Sequence, residues 1–329
     1  MRRFAAQLLY IFIFTFSAHH VCAQAKVYKF DKGFIDQTLA QDSAMGTLRS
    51  QAAYPAGQIH TISCGGADGE LHIGIAPKNI GQAGSTQTIS GPASTNESFG
   101  IVAEPPNASR SLLKQLTAAA GTPIAFFGYI RVWNEGHDVG TVYPSNPHHV
   151  LEVHPVWGIR ANTGGTLDPQ TIFPMQAYQG YGSAKYKALL KTISDGVWPK
   201  VAEDNEFVYV SLLRADNFYQ LPVSIKAVKP VSQGVEATVD VLADLGETEV
   251  IYRNLSVIAA TGSEIATQLA PGQTVYLLGF FSINLRKAMT AASGHQSPSD
   301  AVSAPEALEF FAFGFPKEPA VSSCASTEH

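Results

Sequence analysis

A histidine and a carboxylate held side by side can bind a metal, pass a proton or form an ion pair. The run Pro147-His148-His149-Val150-Leu151-Glu152-Val153-His154-Pro155-Val156 places three histidines and one glutamate in a stretch with strand character. An upstream echo, Asp68-Gly69-Glu70-Leu71-His72-Ile73-Gly74-Ile75, repeats the triplet Glu-x-His. Residues i and i+2 of a strand share a face. His148, Glu152 and His154 therefore point one way, while Leu151 and Val153 point to a core. By the same alternation Glu70 and His72 face out from Leu71, Ile73 and Ile75. In Gly128-Tyr129-Ile130-Arg131-Val132-Trp133, Ile130 and Val132 turn inward and Tyr129, Arg131 and Trp133 outward. If these strands are neighbours, one outer surface gathers Glu70, His72, Arg131, Glu152 and His154, flanked by Tyr129 and Trp133.

Three chemistries fit that surface. The simplest is structural, with Arg131 pairing with Glu152 or Glu70 and the histidines bonding to neighbouring strands. The second is a divalent metal such as zinc on His72, Glu152 and His154, because two imidazoles and a carboxylate are a catalytic zinc donor set. No H-E-x-x-H spacing supports it. The third is a ligand surface of Tyr129, Arg131, Trp133, His148, Glu152 and Trp157, with the aromatic rings stacking on a sugar or flanking a peptide.

The elements that must position these residues are short strands. Ile59–Cys64 and Glu70–Ile75 form a hairpin across Gly65-Gly66-Ala67-Asp68-Gly69. Phe99–Ala103 is a third strand, and Asn107-Ala108-Ser109 caps a helix over Arg110–Ala120. Ile124–Trp133 and His148–Ile159 complete the set. A Gly/Pro/Tyr-rich connector follows, with a helix at Ser183–Ser194 whose inner face is Tyr186, Leu189, Leu190 and Ile193. A second β set comprises Phe207–Leu213, Val223–Val228, Val235–Leu242, Glu249–Ala259 and Thr274–Ile283. Val235, Ala237, Val239 and Val241 alternate with Glu236, Thr238 and Asp240, as in a half-exposed antiparallel strand. Val275–Phe281 is apolar on both faces and should be central. No sequence repeat links the two β sets.

The order of motifs over residues 59–159 resembles a group of exported bacterial domains of OB-fold type. Their pattern is Asp-Gly-(Asp/Glu)-x-His, then Ala-Glu-(x)-Pro, a helix, a Gly-led strand and (Ile/Leu)-Glu-(Leu/Ile)-His-Pro-Val. This chain carries Asp68-Gly69-Glu70-Leu71-His72, Val102-Ala103-Glu104-Pro105, Gly128-Tyr129-Ile130-Arg131-Val132 and Leu151-Glu152-Val153-His154-Pro155-Val156. The resemblance implies a five-stranded barrel with a helix between strands three and four, and an exported location. It brings no activity with it and does not reach residues 160–329.

Composition bounds the rest. The chain has 329 residues, 45% hydrophobic and only 15% charged, with 28 Gly and 19 Pro. That composition is globular and suits many strands joined by turns. The net charge is −5 and no basic run follows the first three residues. A nucleic-acid binder normally needs a basic stripe, so no nucleic-acid partner is expected. Arg2-Arg3, the apolar Leu8–Phe16 and Ala23-Gln24-Ala25 form a signal peptide over residues 1–25. No other stretch approaches the ~20 apolar residues of a membrane span, so no transmembrane segment is expected after cleavage. Cys64 and Cys324 could pair in an oxidising compartment. No Walker lysine follows a glycine-rich turn, and no G-x-S-x-G elbow occurs.

The sequence thus predicts a mainly β protein. Its parts are an N-terminal segment 26–54, an OB-fold-like five-stranded barrel at 55–160, a helical connector at 161–204, a second small β domain at 205–290, and a linker and flexible tail at 291–329. The expected role is a binding or interaction module of the periplasm or cell exterior, without cofactor, taking a glycan or peptide. The alternative is a metal-dependent hydrolase using His72, Glu152 and His154.

Overall fold

A computed structural model describes residues 26–33, 35, 57–64, 71–77, 89–90, 101–105, 115–116, 123–134, 150–161, 166–167, 183–213, 218–231 and 234–315. In chain order the strands of the first half are β1 (Lys26–Asp31), β2 (Gly57–Cys64), β3 (Leu71–Pro77), β4 (Ile89–Ser90), β5 (Ile101–Ala103), β6 (Pro123–Val132), β7 (Leu151–Ala161) and β8 (Thr166–Leu167). Helix α1 (Ser183–Ser194) leads to β9 (Lys200–Glu203), β10 (Phe207–Leu212), β11 (Tyr219–Val231), β12 (Gly234–Leu242) and β13 (Val250–Ala260). Helix α2 (Glu264–Gln268), β14 (Thr274–Ile283), helix α3 (Leu285–Ala292), β15 (Val302–Ser303) and β16 (Leu308–Gly314) complete the order.

The first β set folds as its alternation requires. Strands run in the order β5-β3-β2-β6-β7, and β7 pairs back to β5. That last pairing is parallel, Ile101 to Leu151 and Ala103 to Val153, while the others are antiparallel. A five-stranded ring whose third and fifth strands are parallel is the OB topology. Ile73, Ala103, Ile130, Val132, Leu151 and Val153 fill it. Of the expected helix at 110–120 only Gln115 and Leu116 are described; both are helical, and Leu116 is buried.

The second β set makes the same fold. Strands β11-β12-β13-β16-β14 close a barrel, again with the third and fifth strands, β13 and β16, parallel. Helix α2, capped by the Ser263 side chain on Ala266 N–H, occupies the slot between strands three and four. The chain therefore holds two OB barrels. The sequence divisions at 205–290 and 291–329 need correction, because β16 lies inside the expected linker and tail. Leu308–Gly314 is apolar on both sides and shows no period-two signal. The 291–305 stretch is not a bare linker either, since β15 pairs with β9.

Phe207–Leu212 does not enter the second barrel. It pairs with β1 in a five-stranded sheet ordered β15-β9-β10-β1-β4, where Tyr28 and Phe30 of the expected polar N-terminal segment are buried. Helix α1 matches its expected bounds and buries Tyr186, Leu189, Leu190 and Ile193. Gly196 ends that stretch at φ +67°, a conformation glycine adopts at no steric cost. Among the described residues no helix is long and apolar enough to cross a membrane.

Candidate functional site: a buried ion-pair cluster between two barrels

The conspicuous side chains of the sequence meet where the barrels touch. Tyr129 and Arg131 on β6, and Trp133 just past its end, do point away from the core of the first barrel. On β7, Glu152 and His154 do the same. The corresponding strands of the second barrel, β14 and β16, turn Phe280, Ser282, Glu309, Phe311 and Phe313 toward them. Each barrel thus contributes its fourth and fifth strands. The expected outer face is covered as a result. Tyr129, Arg131, Glu152 and His154 are 0% exposed and Trp133 is 1% exposed. The sequence expectation of a solvent-facing ligand surface is corrected on that point. Strand alternation reports which side of a sheet a residue takes, not what lies beyond it.

Arg131 sits at the centre. Its Nη1 donates to Glu152 Oε2 at 2.9 Å, and the two residues are directly opposite each other in the β6–β7 register. Its Nε donates across the barrel boundary to the Phe281 carbonyl at 3.2 Å. The guanidinium carbon lies 4.4 Å from the centre of the Phe280 ring, where the ring's negative face stabilises a cation. His154 Nδ1 lies 2.8 Å from Glu104 Oε2 and 3.3 Å from Glu152 Oε2. Phe280 and Phe218 enclose the imidazole, with ring centres 4.8 and 5.7 Å away. Phe313 closes a third side at 5.9 Å.

The second barrel answers in kind. Tyr129 donates its hydroxyl proton to Glu309, and Val132 N–H donates to Ser282 Oγ at 3.1 Å. Trp133 packs against Phe281 of β14 and edge-on against Trp198. Sequence reasoning gave Glu104 no role and missed Glu309, Ser282 and the phenylalanines. One signal was available. Gly128-Tyr129-Ile130-Arg131-Val132 with Leu151-Glu152 corresponds to Gly279-Phe280-Phe281-Ser282-Ile283 with Leu308-Glu309. Arg131 faces Glu152 in one register and Ser282 faces Glu309 in the other.

Glu104, Glu152 and His154 offer ligand atoms within 4.8 Å of one another. Two carboxylates and an imidazole suit a divalent ion in type. The geometry is otherwise committed: Glu152 accepts from Arg131, and His154 Nδ1 is turned to the two carboxylates. A divalent ion there would lie beside the Arg131 guanidinium, in a low-dielectric setting where like charges repel strongly. The expected trio of His72, Glu152 and His154 is not assembled by anything described. His72 is placed only through its backbone, opposite Ser63 in the β2–β3 pairing. The side chains of His72 and Trp157, all of Glu70 and His148, and the Cys64–Cys324 pairing lie outside the described residues.

Among the described residues, Tyr209 and Tyr252 also titrate away from the ordinary phenol range. Burial, then the hydrogen bond to Asp204, pushes the Tyr209 phenol up to about 12. Burial, with Glu306 nearby, takes Tyr252 to about 12. Each serves a local contact, Tyr252 by donating to the Pro305 carbonyl at 3.1 Å.

No protein-family model matches the chain, and no curated protein matches it. Among solved structures, it is similar to the wild-type single-stranded DNA binding protein from Thermus aquaticus. The identity is 9%, with 90% of this chain and 93% of that chain covered at a TM-score of 0.19. A deletion mutant of the same protein matches at 10% identity, covering 90% of this chain and 96% of that one, with a TM-score of 0.18. These values are too low to carry an argument, and the assignment of two OB barrels rests on the strand pairing described above. The expectation that nucleic acid is not a partner is nonetheless withdrawn, since it rested on charge alone. Both neighbours are single-stranded DNA binding proteins by name, and a net charge summed over the whole chain does not exclude a local binding face.

Proposed function

We propose that this protein is an exported, non-catalytic binding protein in which the Glu-x-His strand holds two OB barrels together. The observation that carries this reading is the complete burial of Arg131, Glu152 and His154 beneath the second barrel. A catalytic carboxylate and imidazole must reach a substrate. These groups reach Phe280, Phe218 and Glu104 instead. The OB barrel itself is a binding scaffold, with ligands on the face of its second and third strands. A peptide fits better than a glycan, because two of the rings expected to stack on sugar, Tyr129 and Trp133, are enclosed.

The test is a ligand panel on the mature chain, read by thermal shift and titration calorimetry. It holds peptides, oligosaccharides and single-stranded DNA, beside a panel of ester, amide and phosphoester substrates. A peptide or glycan that raises Tm in proportion to its concentration, without turnover of any substrate, is the expected result. Turnover that disappears in His154→Gln would overturn the reading in favour of an enzyme. DNA as the sole ligand would overturn the ligand class.

A further inference from the structure

The outer face of β12 and β13 in the second barrel is the second- and third-strand face of an OB barrel, and β11 extends it along the β12 edge. Resting on the binding reading above, we infer that this face takes an acidic peptide in extended conformation, held by Lys226, Lys229 and Arg253.

The argument begins with layering of charge. Asp240 and Glu236 lie low in the sheet, with side chains 8% and 14% exposed. Above them stand Lys226 at 41%, Lys229 at 66% and Arg253 at 68%. Lys226 Nζ contacts Asp240 Oδ1 at 2.7 Å, Arg253 Nη1 contacts Asp240 Oδ2 at 3.4 Å, and Lys229 Nζ contacts Glu236 Oε2 at 3.0 Å. The carboxylates thus fix the cations from beneath, while Lys229 and Arg253 stay largely exposed. A partner meets a row of positive donors on a chain whose overall charge is −5.

The backbone adds a second observation. Between the pairs Val239–Leu255 and Val241–Tyr252 the β12–β13 register shifts, so that Arg253 and Asn254 together oppose Asp240. This is a β-bulge, a device that re-aims side chains and gathers near functional sites. Asn254 adopts φ +59°, uncommon for a residue with a side chain. Its N–H donates to Asp240 Oδ1 at 3.0 Å, and its Oδ1 accepts from Lys226 Nζ at 3.0 Å. At the bulge Arg253 and Asn254 are both exposed.

The face is flat, hydrogen-bonding and cationic. Among its described residues no exposed aromatic ring is available to stack on a base or a sugar, the usual grip on single strands. Carboxylates at every second position of an extended peptide lie roughly 7 Å apart on one side, a spacing that spread cations on neighbouring strands can meet.

The experiment uses the mature chain and three fluorescent probes at low salt. They are a peptide with glutamate at every second position, its lysine counterpart, and an oligothymidylate. The glutamate peptide is expected to bind, weaken with salt, and lose about tenfold or more in the double variant Lys229→Gln, Arg253→Gln. That variant leaves the Lys226–Asp240 contact in place, and its unfolding curve should match wild type. No binding of the glutamate peptide, equal binding of the lysine peptide, or unchanged affinity in the variant would overturn the proposal. Oligothymidylate binding lost in the variant, with no peptide binding, would overturn it in favour of nucleic acid on this face. A ligand from the broader panel that ignores the double variant would sink this face and leave the binding reading standing. Silence across that panel would sink the binding reading itself.

Discussion

At the scale of single residues, Arg131 decides the character of the molecule. A buried guanidinium is tolerated only when its charge and donors are met, and here Glu152, the Phe281 carbonyl and the Phe280 ring meet them. Removing it strips the buried Glu152 carboxylate of its guanidinium partner. Arg131→Met should therefore cost about 3–5 kcal/mol, the usual result of breaking a buried pair from one side. Urea unfolding of wild type and variant measures this directly, and a loss under ~1 kcal/mol, the range of exposed pairs, would show the cluster to be wetter than described. The pairing of Arg131 with Glu152 was legible from spacing, since both residues fall on one face of adjoining strands. Glu104 was visible in its motif, yet nothing local showed that its carboxylate reaches His154.

At the scale of elements, period-two alternation located most of the strands. It succeeded for β12, where Ala237, Val239 and Val241 are buried and Glu236 and Asp240 take the opposite side, beneath Lys229, Lys226 and Arg253. It failed for β16, because both sides of that strand are covered and the alternation vanishes. It also failed for β1, whose six residues are too few to stand out. The two barrels share a further constraint at Gly128 and Gly279. A Cβ at Gly128 would meet the Pro155 carbonyl oxygen at 2.4 Å, and one at Gly279 would meet the Phe311 carbonyl oxygen at 2.0 Å. Each glycine lets its fourth strand lie close against the fifth. Gly279→Ala should push β14 from β16 and lower stability by about 1–3 kcal/mol, the range for overpacking. Equilibrium unfolding checks it, and a neutral result would mean that the β14–β16 register is misplaced.

At the scale of the whole molecule, two barrels of one topology meet through equivalent strands, and their contact is among the most chemically specific places in the chain. Closure of the second barrel depends on a strand that arrives late in the sequence. A chain stopped after Asp300 lacks β16 and leaves β13 and β14 with open edges. It also uncovers Arg131 and His154 on one side and Phe280 on the other. The truncated protein should lose its cooperative unfolding transition and bind an apolar dye, as loosely packed states do. A sharp, wild-type-like transition would show that β16 is dispensable.

The resemblance implied the OB order of the first β set; by itself the sequence determined the strand-rich class, helix α1 with its buried face, and the side of each strand on which Arg131, Glu152 and His154 stand. These follow from local geometry, because alternation and helical spacing are fixed within a few residues. Only the tertiary structure decided that the chosen face would be dry. The contacts that cover it join Tyr129 to Glu309 and Arg131 to Phe281, residues 180 and 150 positions apart. The period of a strand carries no record of a partner so distant. The same residues that spell an exposed reactive surface on one barrel therefore become an interior ion-pair cluster when a second barrel packs against it.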